Sequence, residues 1–413
     1  MNLNISKSYL VSFCTAALLM SAATAQLGSA QTRSSVTTLF DANYNAVRTD
    51  YISTDLHVHE MFLSGATWSD ADLTGLAGGV AVSSGTGLAS TLDPVYNAVR
   101  DYYVGTDQHV HELFLNNGFW SDGDITTITG TSSLATAGAL ASVFDPTFQA
   151  VRTDYVSTTD MHVHEMFLSG STWSDADLTV LAGASGAVAV SAGSGLVSII
   201  DAGGRARNYY IGSDTHVHQL FLINSFWSDQ DLTMVTGGPD AAANSALARI
   251  IDPNYFGAVA ARLYYISTDQ HVHEMFLQSS TWSDTDLTAL TGATEAAAVE
   301  SSLASLYDYK YMAVRTDYLG TDLHVHELYL YGATWSDADL TGIGGGVAAT
   351  AGSGLASTLD PVYNGAVRDY YIGTDLNVHE LFLDNGVWSD GDITGITGGP
   401  TTAAVKSSGT DVK

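Results

Sequence analysis

The chain has 413 residues, of which 44 are acidic and only 14 are Lys or Arg, so its formal net charge is −30. A surface with this charge repels phosphate backbones and anionic headgroups, which excludes nucleic acids and membrane surfaces as expected partners. Apolar residues make up 46% of the chain, which excludes a disordered protein. The chain is also longer than a usual single-core domain, so we looked for internal repeats.

The N-terminus has the pattern of a secretory signal peptide, predicted over residues 1–25. Lys7 supplies the positive charge, the stretch from Tyr9 to Met20 is apolar, and Ala23-Thr24-Ala25 forms the cleavage site. The apolar stretch is shorter than the roughly 20 residues that span a bilayer, which disfavours a retained anchor. The single cysteine, Cys14, lies inside this segment, so the mature chain has no disulfides. We therefore predict a secreted protein, extracellular or periplasmic.

One unit of about 53 residues occurs seven times, and each copy carries a single tryptophan followed by Ser-Asp-x-Asp-(Leu/Ile)-Thr. The tryptophans lie 52 to 55 residues apart, a period typical of propellers and solenoids. The repeats are predicted to fill residues 36–400, between a linker at 26–35 and a C-terminal tail at 401–413. The seven tryptophans are Trp68, Trp120, Trp173, Trp227, Trp282, Trp335 and Trp388.

Each unit is predicted to contain four short strands, rich in Val, Tyr, Phe and Thr and separated by turn residues. In the second unit the predicted strands are Gly87 to Leu92, Ala98 to Val104, His109 to Leu115, and Phe119 to Thr126. Four strands of this length form one propeller blade. The fold class predicted is all-β: a seven-bladed β-propeller with four antiparallel strands per blade. An open β-solenoid is the alternative, but its rungs are typically about 20–30 residues long.

An arginine and a glutamate recur at fixed positions in the units. The arginine lies on the second strand and the glutamate on the third, 12 residues later in every pair except the third, where the spacing is 13. The tryptophan follows 8 residues after the acid, at the start of the fourth strand. The fourth unit has glutamine instead. The pairs are Arg48/Glu60, Arg100/Glu112, Arg152/Glu165, Arg207/Gln219, Arg262/Glu274, Arg315/Glu327 and Arg368/Glu380.

A guanidinium, a carboxylate and an indole in one neighbourhood suit a sugar. Vicinal hydroxyls both donate and accept hydrogen bonds, and the apolar side of the ring, or a 6-deoxy methyl, packs on an aromatic ring. This interpretation requires the charged pair to open toward solvent beside the tryptophan. The alternative is that each pair is an internal salt bridge joining the second and third strands, with the tryptophan as a wedge between blades.

The unit x-Arg-x-x-Tyr…Thr-Asp-x…Glu-(Leu/Met)-(Phe/Tyr)…Trp resembles the fucose-binding propeller lectins of the Aleuria aurantia type, here with seven rather than six repeats. The resemblance implies a multivalent lectin that binds L-fucose, or a related 6-deoxy or O-methylated sugar, between blades. The fourth unit, with Arg207, Gln219 and Trp227, is expected to bind poorly because Gln219 is neutral. The implied sites are Arg48/Glu60/Trp68, Arg100/Glu112/Trp120, Arg152/Glu165/Trp173, Arg262/Glu274/Trp282, Arg315/Glu327/Trp335 and Arg368/Glu380/Trp388.

All 13 histidines lie in one motif directly before the glutamate or glutamine: six units have a His-x-His pair, such as His57 and His59, and the seventh has His379 with Asn377 in place of its mate. Two imidazoles on one strand face could bind Zn²⁺ or Cu²⁺, but the glutamate lies on the opposite face. The sequence places no obvious Asp or Cys to complete a site, so a structural hydrogen-bonding role is favoured over a pH-sensitive or metal-binding role. Trp-Ser-Asp-x-Asp offers too few ligands for Ca²⁺. We expect no metal and no cofactor.

Two other functions were weighed against a lectin. A glycosidase needs one asymmetric site with two carboxylates in different roles, whereas this chain distributes its charged residues evenly over seven units, so no catalytic residue is expected. A protein-interaction scaffold, with the Arg/Glu pairs as internal staples, is the stronger alternative. The partners expected are glycans or glycoconjugates, and the oligomeric state is left open.

Overall fold

In the computed structural model, seven four-stranded sheets follow one another along the chain as the blades of a β-propeller. Each sheet uses four consecutive strands in order, all antiparallel, so the predicted fold class is confirmed. The structure describes residues 36–255, 258–298 and 302–403. The predicted signal peptide, the linker and the tail beyond residue 403 lie outside these ranges. No helix in the described ranges is long and apolar enough to cross a membrane.

The strands are numbered in chain order, four to a blade. The first four blades contain β1 (Val36–Asp41), β2 (Ala46–Ile52), β3 (Val58–Ser64), β4 (Thr67–Asp72); β5 (Ala89–Asp93), β6 (Ala98–Val104), β7 (Val110–Asn116), β8 (Phe119–Asp124); β9 (Ala135–Asp145), β10 (Ala150–Ser157), β11 (Val163–Ser169), β12 (Thr172–Asp177); β13 (Leu196–Ile200), β14 (Ala206–Ile211), β15 (Val217–Ile223) and β16 (Phe226–Asp231). The last three contain β17 (Leu247–Tyr255), β18 (Ala258–Ile266), β19 (Val272–Gln278), β20 (Thr281–Asp286); β21 (Leu303–Asp308), β22 (Ala313–Leu319), β23 (Val325–Tyr331), β24 (Thr334–Asp339); β25 (Leu355–Asp360), β26 (Ala366–Ile372), β27 (Val378–Asp384) and β28 (Val387–Asp392).

A short helix follows the fourth strand of every blade. The helices are α1 (Leu73–Ala77), α2 (Ile125–Thr129), α3 (Leu178–Ala182), α4 (Leu232–Thr236), α5 (Leu287–Thr291), α6 (Leu340–Gly344) and α7 (Ile393–Thr397), and two 3-10 turns lie at Gly183–Ser185 and Pro361–Tyr363. The last aspartate of each Trp-Ser-Asp-x-Asp motif is the N-cap: Asp72 accepts a hydrogen bond from the Gly75 amide at 2.7 Å. The predicted fourth strand of the second unit therefore ends at Asp124, two residues earlier than expected.

Burial follows the position of a strand within its blade. All seven residues of β2 are buried, whereas β4 is exposed or half-buried along its length. First strands of neighbouring blades contact one another, so they surround the centre and the fourth strands lie outside. Because each blade is packed between two others, both faces of its inner strands are buried, including charged residues such as Arg48 and Asp50.

The two faces of a blade pack against different neighbours. On one face of the first blade, Val47, Met61 and Leu63 form an apolar cluster with Tyr370 and Ile372 of the seventh blade. Side chains two residues apart on a strand share a face, so the residues between these ones point toward the second blade. The core is therefore a ring of inter-blade layers, one at each junction.

The connection from one blade to the next repeats around the ring. After six of the seven helices the chain crosses to the next blade and forms a single bridge beside its second strand, for example Val82 with Gly105. After the second helix, Ala135 of the long strand β9 pairs with Ser157 instead. Thr402 makes the equivalent bridge with Ser53 of the first blade, and the Ala403 amide donates to the Ile52 carbonyl at 2.9 Å. Residues 401–403, at the start of the predicted tail, thus complete the junction between the seventh and first blades.

Candidate functional site

Each repeated arginine lies between two carboxylates. In the second blade, Arg100 Nε donates to Asp93 Oδ2 at 2.8 Å and Nη1 donates to Glu112 Oε1 at 2.6 Å. The direct cross-strand partner of Arg100 is Phe114, so Glu112 is its diagonal neighbour on the same face. The predicted contact between the arginine and the acid is present. The second acid, at the end of the first strand, was missed.

The same arrangement is found in all seven blades. Every arginine contacts the Glu or Gln of its own third strand. The second acid also recurs at each site, and the sequence carries its signal, an aspartate before the first turn of all seven units. These aspartates are Asp41, Asp93, Asp145, Asp201, Asp252, Asp308 and Asp360.

The pairs are more covered than the sequence interpretation required. No repeated arginine, and no partner Glu or Gln, is more than 6% exposed. Burial raises the pKa of Glu112, and the nearby Arg100 offsets this only in part. The expectation of a pair wide open to solvent is therefore wrong, because two carboxylates and the adjacent blade enclose the guanidinium.

Individual polar atoms nevertheless remain available at the groove. Within the described ranges, Nη2 of Arg100 and Oε2 of Glu112 make no hydrogen bond. Neither atom belongs to the fully buried polar atoms without a partner, so each keeps some contact with solvent. The same holds for one donor and one acceptor in the pairs Arg48/Glu60, Arg315/Glu327 and Arg368/Glu380.

Two pairs keep fewer polar atoms without a hydrogen bond. Arg152 Nη1 contacts both oxygens of Glu165, at 2.8 and 2.7 Å. Arg262 uses Nη1 for Glu274 and Nη2 for Asp252, which leaves no terminal nitrogen free. In the fourth blade, Arg207 Nη1 donates to Gln219 Oε1 at 2.8 Å. The sites are therefore similar but not equivalent.

Aromatic rings that the sequence interpretation did not assign to the site cover the guanidinium. The Cζ of Arg100 lies 4.2 Å from the Phe114 ring centroid and 5.6 Å from that of Tyr96. Phe114 is the aromatic of the Glu-Leu-Phe motif, two residues after Glu112 and thus on the same face. Tyr96 lies in the turn between the first two strands and is 41% exposed, so it forms the rim of the groove.

The tryptophan belongs with the charged pair of the preceding blade. Leu63 pairs with Trp68, so Trp68 shares its face with Val47 and Met61 and lies opposite Arg48 and Glu60. The predicted grouping within one blade is therefore wrong: the two-residue hairpin before the fourth strand reverses the face. The corrected groupings are Arg48/Glu60 with Trp120, Arg100/Glu112 with Trp173, Arg152/Glu165 with Trp227, Arg207/Gln219 with Trp282, Arg262/Glu274 with Trp335, Arg315/Glu327 with Trp388, and Arg368/Glu380 with Trp68.

A tyrosine or an aspartate stands next to the acid on the same face, depending on the blade. Tyr102 donates its hydroxyl to Glu112 Oε1 at 2.9 Å and contacts Trp173 edge-on, with ring centroids 6.4 Å apart. In the first blade the equivalent residue is Asp50, which faces Asp101 of the second blade. Burial raises the pKa of Asp101 to about 7, and burial together with the Asp101 charge raises that of Asp50 well above its usual range.

A shallow cleft lies in the groove between the fourth and fifth blades. Its walls include Asp201, Gly203 and Arg205 on one side, and Leu277 and Ser279 on the other. The side chain of Arg205 is 43% exposed and its Nε contacts Asp201 Oδ2 at 2.8 Å. The cleft therefore lies beside the pair of Arg207 and Gln219, where weak binding was expected.

The histidines lie at the opposite end of the blades, around the turn between the second and third strands. In the first blade, Nδ1 of His57 contacts Asp72 at 2.9 Å, and His59 contacts Asp70 at 3.0 Å and Asp55 at 3.4 Å. The predicted hydrogen-bonding role is consistent with these contacts. The expectation that no Asp stands in position to complete a site is wrong, since Asp55 of the hairpin and Asp70 and Asp72 of the fourth strand all contact this pair.

The structure is similar to several solved lectins, although the sequence matches no protein-family model and no curated relative. The BP39L lectin from Burkholderia pseudomallei is 12% identical, with a TM-score of 0.66 over 90% of this chain and 100% of that one. SapL1 lectin, solved with alpha methyl fucoside, is 19% identical, with a TM-score of 0.51 over 79% and 98%. The fucose-recognising six-bladed lectin of Aleuria aurantia is 16% identical, with a TM-score of 0.47 over 78% and 96%. The BP39L and SapL1 matches confirm the predicted resemblance at the level of the fold.

Proposed function

We propose that the protein is a secreted, non-catalytic, multivalent lectin that binds L-fucose or a related 6-deoxy or O-methylated sugar in its inter-blade grooves. The observation that carries the proposal is the free donor and the free acceptor that four of the Arg/Glu pairs keep at their grooves. Arg100 Nη2 can donate to one sugar hydroxyl and Glu112 Oε2 can accept from its neighbour, while Trp173 of the next blade offers an apolar surface. SapL1, which has a similar fold, was solved with a fucoside.

The stoichiometry follows from the free atoms. Four pairs keep both a donor and an acceptor, and two keep one of them, so titration with methyl α-L-fucoside should give four to six sites per chain. Sugar sites of this kind bind at about 0.1 mM, and several on one ring raise avidity by roughly 10²–10⁴ on a dense glycan surface. A glycan array that includes O-methylated sugars identifies the ligand. One site per chain, or none with any sugar, would refute the proposal.

Variants of the acid position in the second and fourth blades provide the sharpest test. Gln219→Glu restores the acid that the other six blades have and should add one site. Glu112→Gln copies the natural fourth blade and should remove one site. Arg205→Ala in the natural chain is the control for Glu112→Gln, because it removes a guanidinium only from the fourth groove, which is expected to bind poorly, where it shares Asp201 with Arg207. If neither Gln219→Glu nor Glu112→Gln changes the number of sugar sites, the acid does not take part in sugar binding.

A scaffold remains the second candidate, because each arginine also joins two strands through buried ion pairs. Replacing Arg100 by Ala distinguishes the two functions. A lectin loses one sugar site, whereas a scaffold loses only stability. Secretion is tested separately by mass spectrometry of the mature protein, which should begin at Gln26.

A further inference from the structure

At the histidine end of the third blade, the potential metal ligands Asp160, His162 and Asp177 lie together, and His164 stands beside them. His162 Nδ1 lies 2.8 Å from Asp177 Oδ2 and 3.7 Å from Asp160 Oδ2. His164 Nε2 lies 3.8 Å from Asp177 Oδ2 and 3.9 Å from Asp160 Oδ2. Ligands of a tetrahedral Zn²⁺ site are about 3.4 Å apart, given bonds of about 2.0–2.1 Å. The four nitrogen–oxygen separations, from 2.8 to 3.9 Å, lie on both sides of this value.

His164 presents an unpartnered nitrogen to the cluster. Its Nδ1 faces Asp175 Oδ2 at 3.2 Å. Its Nε2 is a buried atom without a hydrogen-bond partner in the described part of the chain, on a residue that is 5% exposed. This nitrogen faces two carboxylate oxygens that lie too far away to bond it directly, at 3.8 and 3.9 Å, so the space between the three atoms can hold a cation.

The surroundings hold the four groups in place. The second oxygen of each carboxylate is bound by a backbone amide: Asp160 Oδ1 accepts from His162 and Asp177 Oδ1 accepts from Val180. Asp175, which orients His164, accepts a hydrogen bond from Tyr155 at 2.9 Å. A carboxylate behind the histidine is the usual outer partner of a metal-bound imidazole. The side chains of His162 and Asp160 are 24% and 35% exposed, so an ion has a route in.

We propose that this cluster is a binding site for a divalent first-row transition ion of the Zn²⁺ class. Two imidazole nitrogens and two carboxylate oxygens suit Zn²⁺, and the two negative charges balance the ion. Ca²⁺ needs six to eight oxygen ligands and is disfavoured. Coordination through Nδ1 leaves the ring proton of His162 on Nε2. The site is separate from the sugar grooves, and its proposal does not rest on them.

The same four residue types recur in the first six blades. In the fourth blade, Asp214, His216, His218 and Asp231 offer ligand atoms that all lie within 4.8 Å of one another. The seventh blade is a natural control: Asn377 replaces the first histidine, and its Nδ2 donates to Asp392 Oδ2 at 3.0 Å, which preserves the structural hydrogen bond. The six motifs begin at Asp55, Asp107, Asp160, Asp214, Asp269 and Asp322.

The test is calorimetric titration of untagged, EDTA-treated protein with ZnCl₂, with bound metal counted by mass spectrometry. We expect about six ions per chain and no comparable binding of Ca²⁺. His162→Asn, which copies the seventh blade, should lower the count by one and leave the metal-free melting temperature unchanged. Asn377→His should raise it by one, so the proposal can be judged even if the first variant folds poorly.

Three results would overturn the site: no Zn²⁺ binding, a count unaffected by both variants, or equal binding of Ca²⁺. Fucoside titration of the same EDTA-treated samples keeps the two proposals apart. If Zn²⁺ sites are lost while sugar binding is unchanged, the result bears on the histidine cluster alone and not on the sugar grooves. Loss of sugar binding with unchanged Zn²⁺ concerns the grooves alone.

Discussion

The buried acid pair between the first two blades predicts a pH-dependent weakness of the ring. Asp50 and Asp101 are each 1% exposed. In the described ranges, Asp50 Oδ1 and both oxygens of Asp101 lack a hydrogen-bond partner. Burial raises the pKa of Asp101 to about 7, and burial together with the Asp101 charge raises that of Asp50 well above its usual range, so both carboxyl groups hold their protons at acidic pH. Above about pH 7 Asp101 loses its proton first, which leaves a buried carboxylate beside Asp50.

The sign and the size of the change in unfolding free energy follow from proton linkage. The folded-state pKa of Asp101, about 7, lies above the ordinary value of 3.8, so the folded protein holds the proton more tightly than the unfolded chain. The stability that this proton provides is complete below about pH 4 and is lost as the pH rises to about 7. At about 1.4 kcal/mol per pKa unit, the loss is about 4 kcal/mol. For a ring of this size that corresponds to roughly 5 °C in melting temperature.

The chain itself contains the substitution that removes this weakness. Between the third and fourth blades the equivalent residues are Asp154 and Asn208, and Asn208 Nδ2 donates to Asp154 Oδ1 at 3.1 Å. We therefore expect Asp101→Asn to raise the melting temperature by roughly 5 °C at pH 8, with little gain at pH 4. Calorimetric scans from pH 4 to 9 measure this.

The pair Asp317 and Asp369, between the sixth and seventh blades, serves as a replicate, since burial also raises the pKa of Asp317 to about 7. Asp369→Asn should act in the same direction, and the double variant should gain the sum. A variant that is equally stabilised at both pH values, or is destabilised at pH 8, refutes the proton linkage.

Two further changes test the inter-blade contacts. Tyr102→Phe removes the hydrogen bond to Glu112 and should cost about 1.5–3 kcal/mol of unfolding free energy in urea titration, because the acceptor is charged. No measurable loss would show that Arg100 alone satisfies the acid. Gly79→Ala places a Cβ 2.6 Å from the Tyr103 hydroxyl and should destabilise by about 1–3 kcal/mol, whereas the control Gly123→Ala meets nothing closer than 3.6 Å. Equal melting temperatures for the two alanine variants contradict the close approach.

The sequence predicted the ring because its signals repeat. Seven tryptophans and seven arginines at one period determine the number of blades, and turn residues place strands such as Ala98–Val104 at their observed bounds. The helix Ile125–Thr129 escaped prediction because five residues are too few for a helical period to show. Its capping residue, Asp124, lay inside the predicted fourth strand, Phe119 to Thr126.

The candidate site was predicted in part. The contact between Arg100 and Glu112 follows from a tight hairpin and needs no tertiary information. Which face Trp120 occupies depends on the length of the next hairpin, because one residue more or fewer moves a side chain to the other face. How deeply Arg100 and Glu112 are buried depends on the neighbouring blade. The pattern of strands within one repeat does not reveal this packing.

The contact of residues 401–403 with the first blade has a consequence for protein engineering. Thr402 bridges Ser53 in the way that Val82 bridges Gly105, so the seam between the two ends of the ring is built like a continuous junction. Circular permutation that joins these ends and opens the spacer after Gly78 should yield a native ring with its cut between the first and second blades. A series of such permutants would report how much each junction contributes to holding the circle together.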